Sequence, residues 1–132
     1  MRINHHHKAL LLTCVFACIA LPADAADRTR AGQWVGTWTG GGTTRATSSC
    51  LTQSDADAMN GDVKSVRAYL EKIIPPTICK VTNIQVSGGQ INYTSVCGGK
   101  ENLITTTYHG DSFESTDTSG AKSEARWVGP CK

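Results

Sequence analysis

From Gln33 the chain reads "QWVGTWT", in which Trp34, Gly36 and Trp38 alternate with Val35, Thr37 and Thr39. A period of two puts the two sets on opposite sides of an extended chain and marks a half-buried β-strand. "GGG" at Gly40 to Gly42 then turns the chain into "TTRATSSC", a polar, threonine-rich second strand. A glycine run cradles a phosphate only where a helix N-terminus follows, and none follows here, so the run is read as a turn.

The period next changes to that of a helix. In "TQSD", Thr52 is placed to cap a first helix, with Asp55 three residues on in capping-box spacing, and Gly61 ends it. A second helix runs from about Asp62 to Ile74, with Val63, Val66, Leu70 and Ile73 as its apolar stripe, until Pro75 and Pro76 stop it. That stripe is expected to pack on the sheet, leaving Lys64, Arg67, Glu71 and Lys72 solvated. After Cys79, "KVTNIQVSGGQINYTSVC" holds two alternating runs around Gly88 and Gly89, a hairpin signal. Further strands follow in "ENLITTTYHGDSFESTDTSGAKSEARWVG", with turns at "HGD" and "SGAK".

The pattern predicts a mainly β (α+β) fold. It is a curved antiparallel meander of six to seven strands, open-barrel-like, with a helical insertion between the second and third strands. One apolar face covers the helices while a Thr, Ser and Glu face meets water.

The N-terminus sets the compartment. "MRINHHHK" carries Arg2 and Lys8, and "ALLLTCVFACIALP" and "ADAAD" follow. A charged start, a short apolar run and small residues at Ala23 and Ala25 make a secretory signal peptide over residues 1–25, cleaved after Ala25. One secreted, disulfide-stabilised domain spans residues 26–132. Ala9 to Pro22 falls short of the ~20 apolar residues a membrane-crossing helix needs. Residues Val15 to Cys18 loosely resemble a lipobox, but Phe16 is bulky where a small residue belongs, so acylation at Cys18 is the less favoured route. The expected location is periplasmic or secreted.

Composition adds the cross-links. Without the leader the chain is nearly neutral, and no basic stripe interleaved with aromatics exists to hold nucleic acid. Four cysteines remain: Cys50, Cys79, Cys97 and Cys131. An even count in an exported chain points to two disulfides rather than a metal site, since the spacings are wide and His109 is the only histidine left. The preferred pairing is Cys50–Cys79 with Cys97–Cys131, the second bridge pinning an otherwise frayed C-terminus. A cross-hairpin Cys79–Cys97 bridge with Cys50–Cys131 stays open as the rival.

Candidate chemistry is sparse. His109, Asp111 and Ser112 lie too close on one turn to align as nucleophile, base and orienter. Asp55 and Asp57 lack the further oxygen ligands of a calcium loop and suit a helix N-terminus. Asn92-Tyr93-Thr94 is a formal glycosylation sequon inside a predicted strand. Trp34, Trp38 and Trp127 are the one feature that could form a ligand face, against the plainer reading of core packing. The expectation is no enzyme, no cofactor, no metal, no nucleic-acid partner and no membrane span. It leaves a non-catalytic envelope module acting through protein contacts, or a small lipocalin-like carrier of an apolar ligand.

"GQWVGTW", "CLTQSDA", "CKVTNIQVSGGQINYTSVC", "YHGDSF" and the closing "VGPC", in this order and spacing, resemble the bacterial envelope proteins of Domain of Unknown Function family 3617. The resemblance covers nearly all of the chain beyond the leader. It implies an exported domain without catalytic residues to carry over. The chain departs from the family in lacking a methionine-rich segment after the first strand.

Overall fold

The computed structural model describes residues 27–132; the leader, its cleavage site and Cys18 lie outside them. The chain forms β1 (Gly32–Gly40), β2 (Thr43–Leu51), α1 (Gln53–Asn60), α2 (Val63–Ile73), β3 (Cys79–Ser87), β4 (Gln90–Cys97), β5 (Lys100–Tyr108), β6 (Ser112–Asp117) and β7 (Lys122–Gly129). The seven strands make one antiparallel sheet in the order β2-β1-β7-β6-β5-β4-β3. It stays open: β2 and β3 are its edges and no barrel closes.

Local chemistry explains each helix boundary. Thr52 Oγ1 accepts the Asp55 N–H at 3.2 Å and Asp62 Oδ1 accepts the Ser65 N–H at 2.9 Å, satisfying backbone donors that a first helical turn leaves free. Both helices begin and end within a residue of the expected positions. Between β2 and β3 they carry the chain from one edge of the sheet to the other, across one face. Met59, Val66 and Leu70 there meet Val81, Ile84 and Ile91 as a buried cluster. Val63 and Ile73, expected in the buried stripe, are instead 41% and 52% exposed. They sit at the stripe's margins, and Tyr69 and Ile74 pack against the cluster in their place.

One irregularity in β3 tunes this packing. Asn83 takes a positive φ of 52°, and the register passes from Thr82↔Thr94 to Gln85↔Asn92, so two residues of β3 oppose one of β4. This bulge shifts the alternation by one, which is why Val81 and Ile84, three apart, are both buried.

The sheet's continuity rests on β1 pairing β7 as well as β2, from Trp34↔Trp127 to Thr39↔Lys122. Glycine at 32 and 36 in "GQWVGTW" makes that contact possible. A Cβ on Gly36 would collide with the Glu124 carbonyl, and one on Gly32 with the Trp127 indole nitrogen.

All four cysteines are bridged, as expected, but the preferred pairing is overturned: the bonds are Cys50–Cys131 and Cys79–Cys97. The reason is the sheet order. Cys50 is the penultimate residue of β2 and Cys131 follows β7, with only β1 between those strands, so their Cα atoms come within 5.5 Å. Cys79 and Cys97 are direct register partners at the opposite end of the sheet, with Cα atoms 4.4 Å apart. Cys97 and Cys131 stand at opposite ends and three strands apart. Loop entropy had favoured the other pairing, but a bridge needs proximity first.

Non-reducing peptide mapping should recover Cys50–Cys131 and Cys79–Cys97 fragments. With sequence separations of 81 and 18, loop entropy predicts losses of about 4.5 kcal/mol for Cys131→Ser and about 3 kcal/mol for Cys97→Ser in urea unfolding. A fragment joining Cys97 to Cys131 would contradict the assignment.

A helix-covered cavity as candidate functional site

Register assigns one face of the sheet to large rings. Trp34 lies opposite Trp127, Tyr108 opposite Phe113, and Tyr93 opposite Ile104, all on the side the helices cover. The Trp34 and Phe113 rings are 5.9 Å apart and tilted by 37°, and Phe113 and Tyr108 are 5.7 Å apart at 48°. Tilted stacking of this kind suits the ring quadrupoles. It also builds a tall aromatic ridge, and two short helices cannot fill the space beside it.

A cavity of about 210 Å³ remains between helices and sheet, lined by Trp34, Tyr69, Leu70, Tyr93, Tyr108 and Phe113 among others. All three tyrosines of the chain reach it. Burial pushes each phenol above its ordinary pKa. Tyr69 adds to the rise at Tyr93, and both add to that at Tyr108, where Arg28 acts the other way. None of the three shifts carries a hydrogen-bond contribution. The site therefore presents neutral phenols, each part-buried, beside an apolar space.

The segment before β1 straps this end of the molecule. Buried Arg28 donates from Nε to the Met59 carbonyl at 2.7 Å, from one terminal nitrogen to the Gly88 carbonyl at 3.0 Å, and from the other to the Gly61 carbonyl at 2.5 Å. One guanidinium thereby joins the end of α1 to the β3–β4 turn. Asn60 mimics a strand partner, accepting from the Thr29 N–H and donating to its carbonyl. The indole N–H groups of Trp34 and Trp127 donate to the carbonyls of Arg30 and Ala31 at 3.0 and 2.9 Å. Arg30 stacks 3.5 Å above Trp127 and pairs with Asp111 at 2.9 Å.

The three tryptophans thus share a face but not a site. Trp34 lines the first cavity, and Trp127 serves the strap. Trp38, under Arg45 at 4.4 Å, lines a second cavity of about 210 Å³ together with Tyr93, Ile104, Asp117 and Lys122. The sequence reading missed Arg28, the tyrosines and Phe113. The signal available was that every tyrosine sits on a helix or strand at an apolar phase of the pattern.

The opposite face is polar. It holds a wide, open trough of about 730 Å³, with Glu114 directly across from Glu124 and His109 Nε2 4.0 Å from Glu114. Asp111 pairs with Arg30 rather than with His109, so His109, Asp111 and Ser112 form no line of nucleophile, base and orienter. Asp55 is bound by Lys72 at 2.7 Å and Asp57 accepts from Gln53 at 2.8 Å. Among the described residues no group of three or more His, Cys, Asp or Glu is placed to hold a metal ion. Asn92 of the sequon lies within β4, its Oδ1 buried without a partner.

Residues 29–131 match a family model described as a protein of unknown function (DUF3617). No curated protein and no solved structure matches the chain.

Two measurements check this site. Arg28→Ala would leave three carbonyls without their donor and should cost about 3 kcal/mol in urea unfolding. The tyrosines work through pH. Their folded pKa values are raised, so their stabilising effect is complete below pH about 10 and is lost as pH rises through the folded values. Stability should fall steadily above that pH, with phenolate absorbance in native protein appearing later than in unfolded chain.

Proposed function

The chain belongs to the DUF3617 family of proteins of unknown function, and since membership supplies no activity, we propose from the geometry that it is a non-catalytic, exported binding protein. It holds a small, largely apolar molecule between its helices and its sheet. The cavity lined by Trp34, Phe113 and all three tyrosines, with apolar side chains around them, carries this reading. A core packed to ordinary protein density would have closed this space. Export is supported by the leader pattern and by two disulfides, which persist in oxidising compartments. A bacterial periplasm is the location these features favour, and no helix among the described residues is long and apolar enough to cross a membrane.

Of the two expectations from the sequence, this is the carrier, with one change. The ligand space is not the interior of a closed barrel but the gap under a helical cover on an open sheet.

Ile73 tests the proposal without touching the core, since it lines the cavity yet is half exposed at its mouth. Ile73→Trp should plug that mouth and weaken binding of p-cresol at least tenfold by calorimetry, with little change in the unfolding midpoint. Native mass spectrometry of protein purified without detergent should show a co-purified small mass that denaturation removes. A clean mass together with no p-cresol binding to the wild type would sink the proposal.

A further inference from the structure

The two edges of the sheet are guarded unequally. At β3 the bulge at Asn83 interrupts the regular spacing of the strand, and Arg67 reaches over from α2 to donate to the Val81 carbonyl at 3.2 Å. A kinked strand with a helix side chain laid over it discourages a further strand from pairing there. β2 has neither device. Its nine residues, Thr43–Leu51, pair with β1 without a register shift and contain no proline and no lysine, and those from Thr43 to Cys50 are exposed.

The hairpin turn shows which groups of β2 are free. Gly41 and Gly42, with φ of 57° and 75°, join Gly40 to its register partner Thr43. Such a turn closes on a hydrogen-bonded pair, and bonded and non-bonded pairs then alternate along the ladder. Thr43, Arg45, Thr47, Ser49 and Leu51 therefore bond inward to β1. Thr44, Ala46, Ser48 and Cys50 turn an N–H and a C=O each to the open edge, where these groups find no partner among the described residues. The side chains leave the edge clear. Thr44 and Ser48 lean onto Thr39 and Gln33 of β1 at 3.0 and 2.7 Å, and Cys50 is turned to Cys131. Arg45, the one charge of the strand, lies over the Trp38 ring.

We propose that β2 is a dimerisation edge, and that its occupant is β2 of a second copy of this chain, antiparallel about a two-fold axis at Thr47. Thr47 then faces Thr47 of the second copy, Ala46 faces Ser48, Arg45 faces Ser49, and Thr44 faces Cys50. This is the one antiparallel register in which every free N–H and C=O of the strand is paired. It sets only small side chains against one another near the axis and keeps the two Arg45 about 13 Å apart along the ladder, four residues of strand. β2 is thus complementary to itself, as an isologous interface requires. The sheet runs on through both copies, with their helices on the same face. This pairing is independent of the binding role proposed above.

Sedimentation equilibrium of the mature, oxidised protein should show a reversible monomer–dimer transition in the micromolar range. Ala46→Pro removes an N–H that β1 does not use, so it should weaken association at least tenfold while leaving the fold and p-cresol binding as in the wild type. Cross-linking reads the register separately. Thr47→Cys brings two thiols together in a non-hydrogen-bonded pair, whose Cα atoms lie ~4.5 Å apart, close to the 4.4 Å of the native Cys79–Cys97 bond. It should form a disulfide-linked dimer under mild oxidation. Arg45→Cys alone should not, but should cross-link when mixed with Ser49→Cys. A wild type that stays monomeric at millimolar concentration, a dimer indifferent to a folded Ala46→Pro, or cross-linking through Arg45→Cys alone would each overturn the proposal. If Ala46→Pro fails to fold, the cross-linking pattern decides.

Discussion

Everything in this fold depends on the first strand pairing with the last. Without β1 against β7 there are two pieces, a β1–β2 hairpin and a β3–β7 meander, and a lone hairpin is marginally stable in water. Once the two join, β2 and β3 become opposite edges of one sheet, and the chain between them must cross a whole face. That crossing is made by α1 and α2. The helical cover, the buried cluster beneath it and the cavity beside that cluster all follow from where one strand pair forms. Glycine at 32 and 36 permits the close approach, and the Cys50–Cys131 bond ties β2 to the tail of β7 across β1, fixing the same junction covalently.

The second constraint is size. Rings from β1, β4, β5 and β6 rise from a seven-stranded face that only 8- and 11-residue helices cover. Filling that face completely would take a longer helical layer. The cover is concentrated over β3 and β4, where Val66 and Leu70 meet Val81, Ile84 and Ile91, and gaps remain toward β1 and β6. The N-terminal strap spends its polar groups on the same problem. Arg28, Thr29 and the two indole N–H groups hold α1, the β3–β4 turn and the start of β1 in place, so that the cavity has a fixed wall.

How much of this the sequence shows depends on the range of the interaction. Thr52, Gly61, Asp62 and the proline pair act within four residues, and the helices lie where those residues put them. Gly41, Gly42, Gly88 and Gly120 have positive φ in tight turns, so the hairpins were legible too. The shared face of Trp34, Trp38 and Trp127 follows from alternation once β7 is beside β1. That adjacency itself has no local signature, and the disulfide assignment failed for that reason: a loop-entropy argument compares unfolded chains, whereas sheet order decides which thiols meet. The cavity was hidden for a related reason. Tyr93 and Tyr108 sit in strands rich in threonine and read as ordinary strand residues, and only the tertiary fold brings them to the lining of one cavity. Arg28, the third residue after the expected cleavage site, belongs to no periodic segment at all.

The two faces of the sheet also divide the labour by dielectric. On the outer side Glu114 and Glu124, opposite each other, are tolerable because water screens like charges at an open trough. Under the helices the same arrangement would be prohibitive, and the polar groups there are neutral phenols, paired hydroxyls such as Thr106 with Ser115, and an Asp117 wrapped in donors. In the binding role proposed above, the part-buried phenols would orient one polar atom of an apolar molecule. In that role the rings and aliphatic side chains would separate molecules differing by one methylene only weakly, by about 1–3 kcal/mol, so the phenols would carry the finer discrimination.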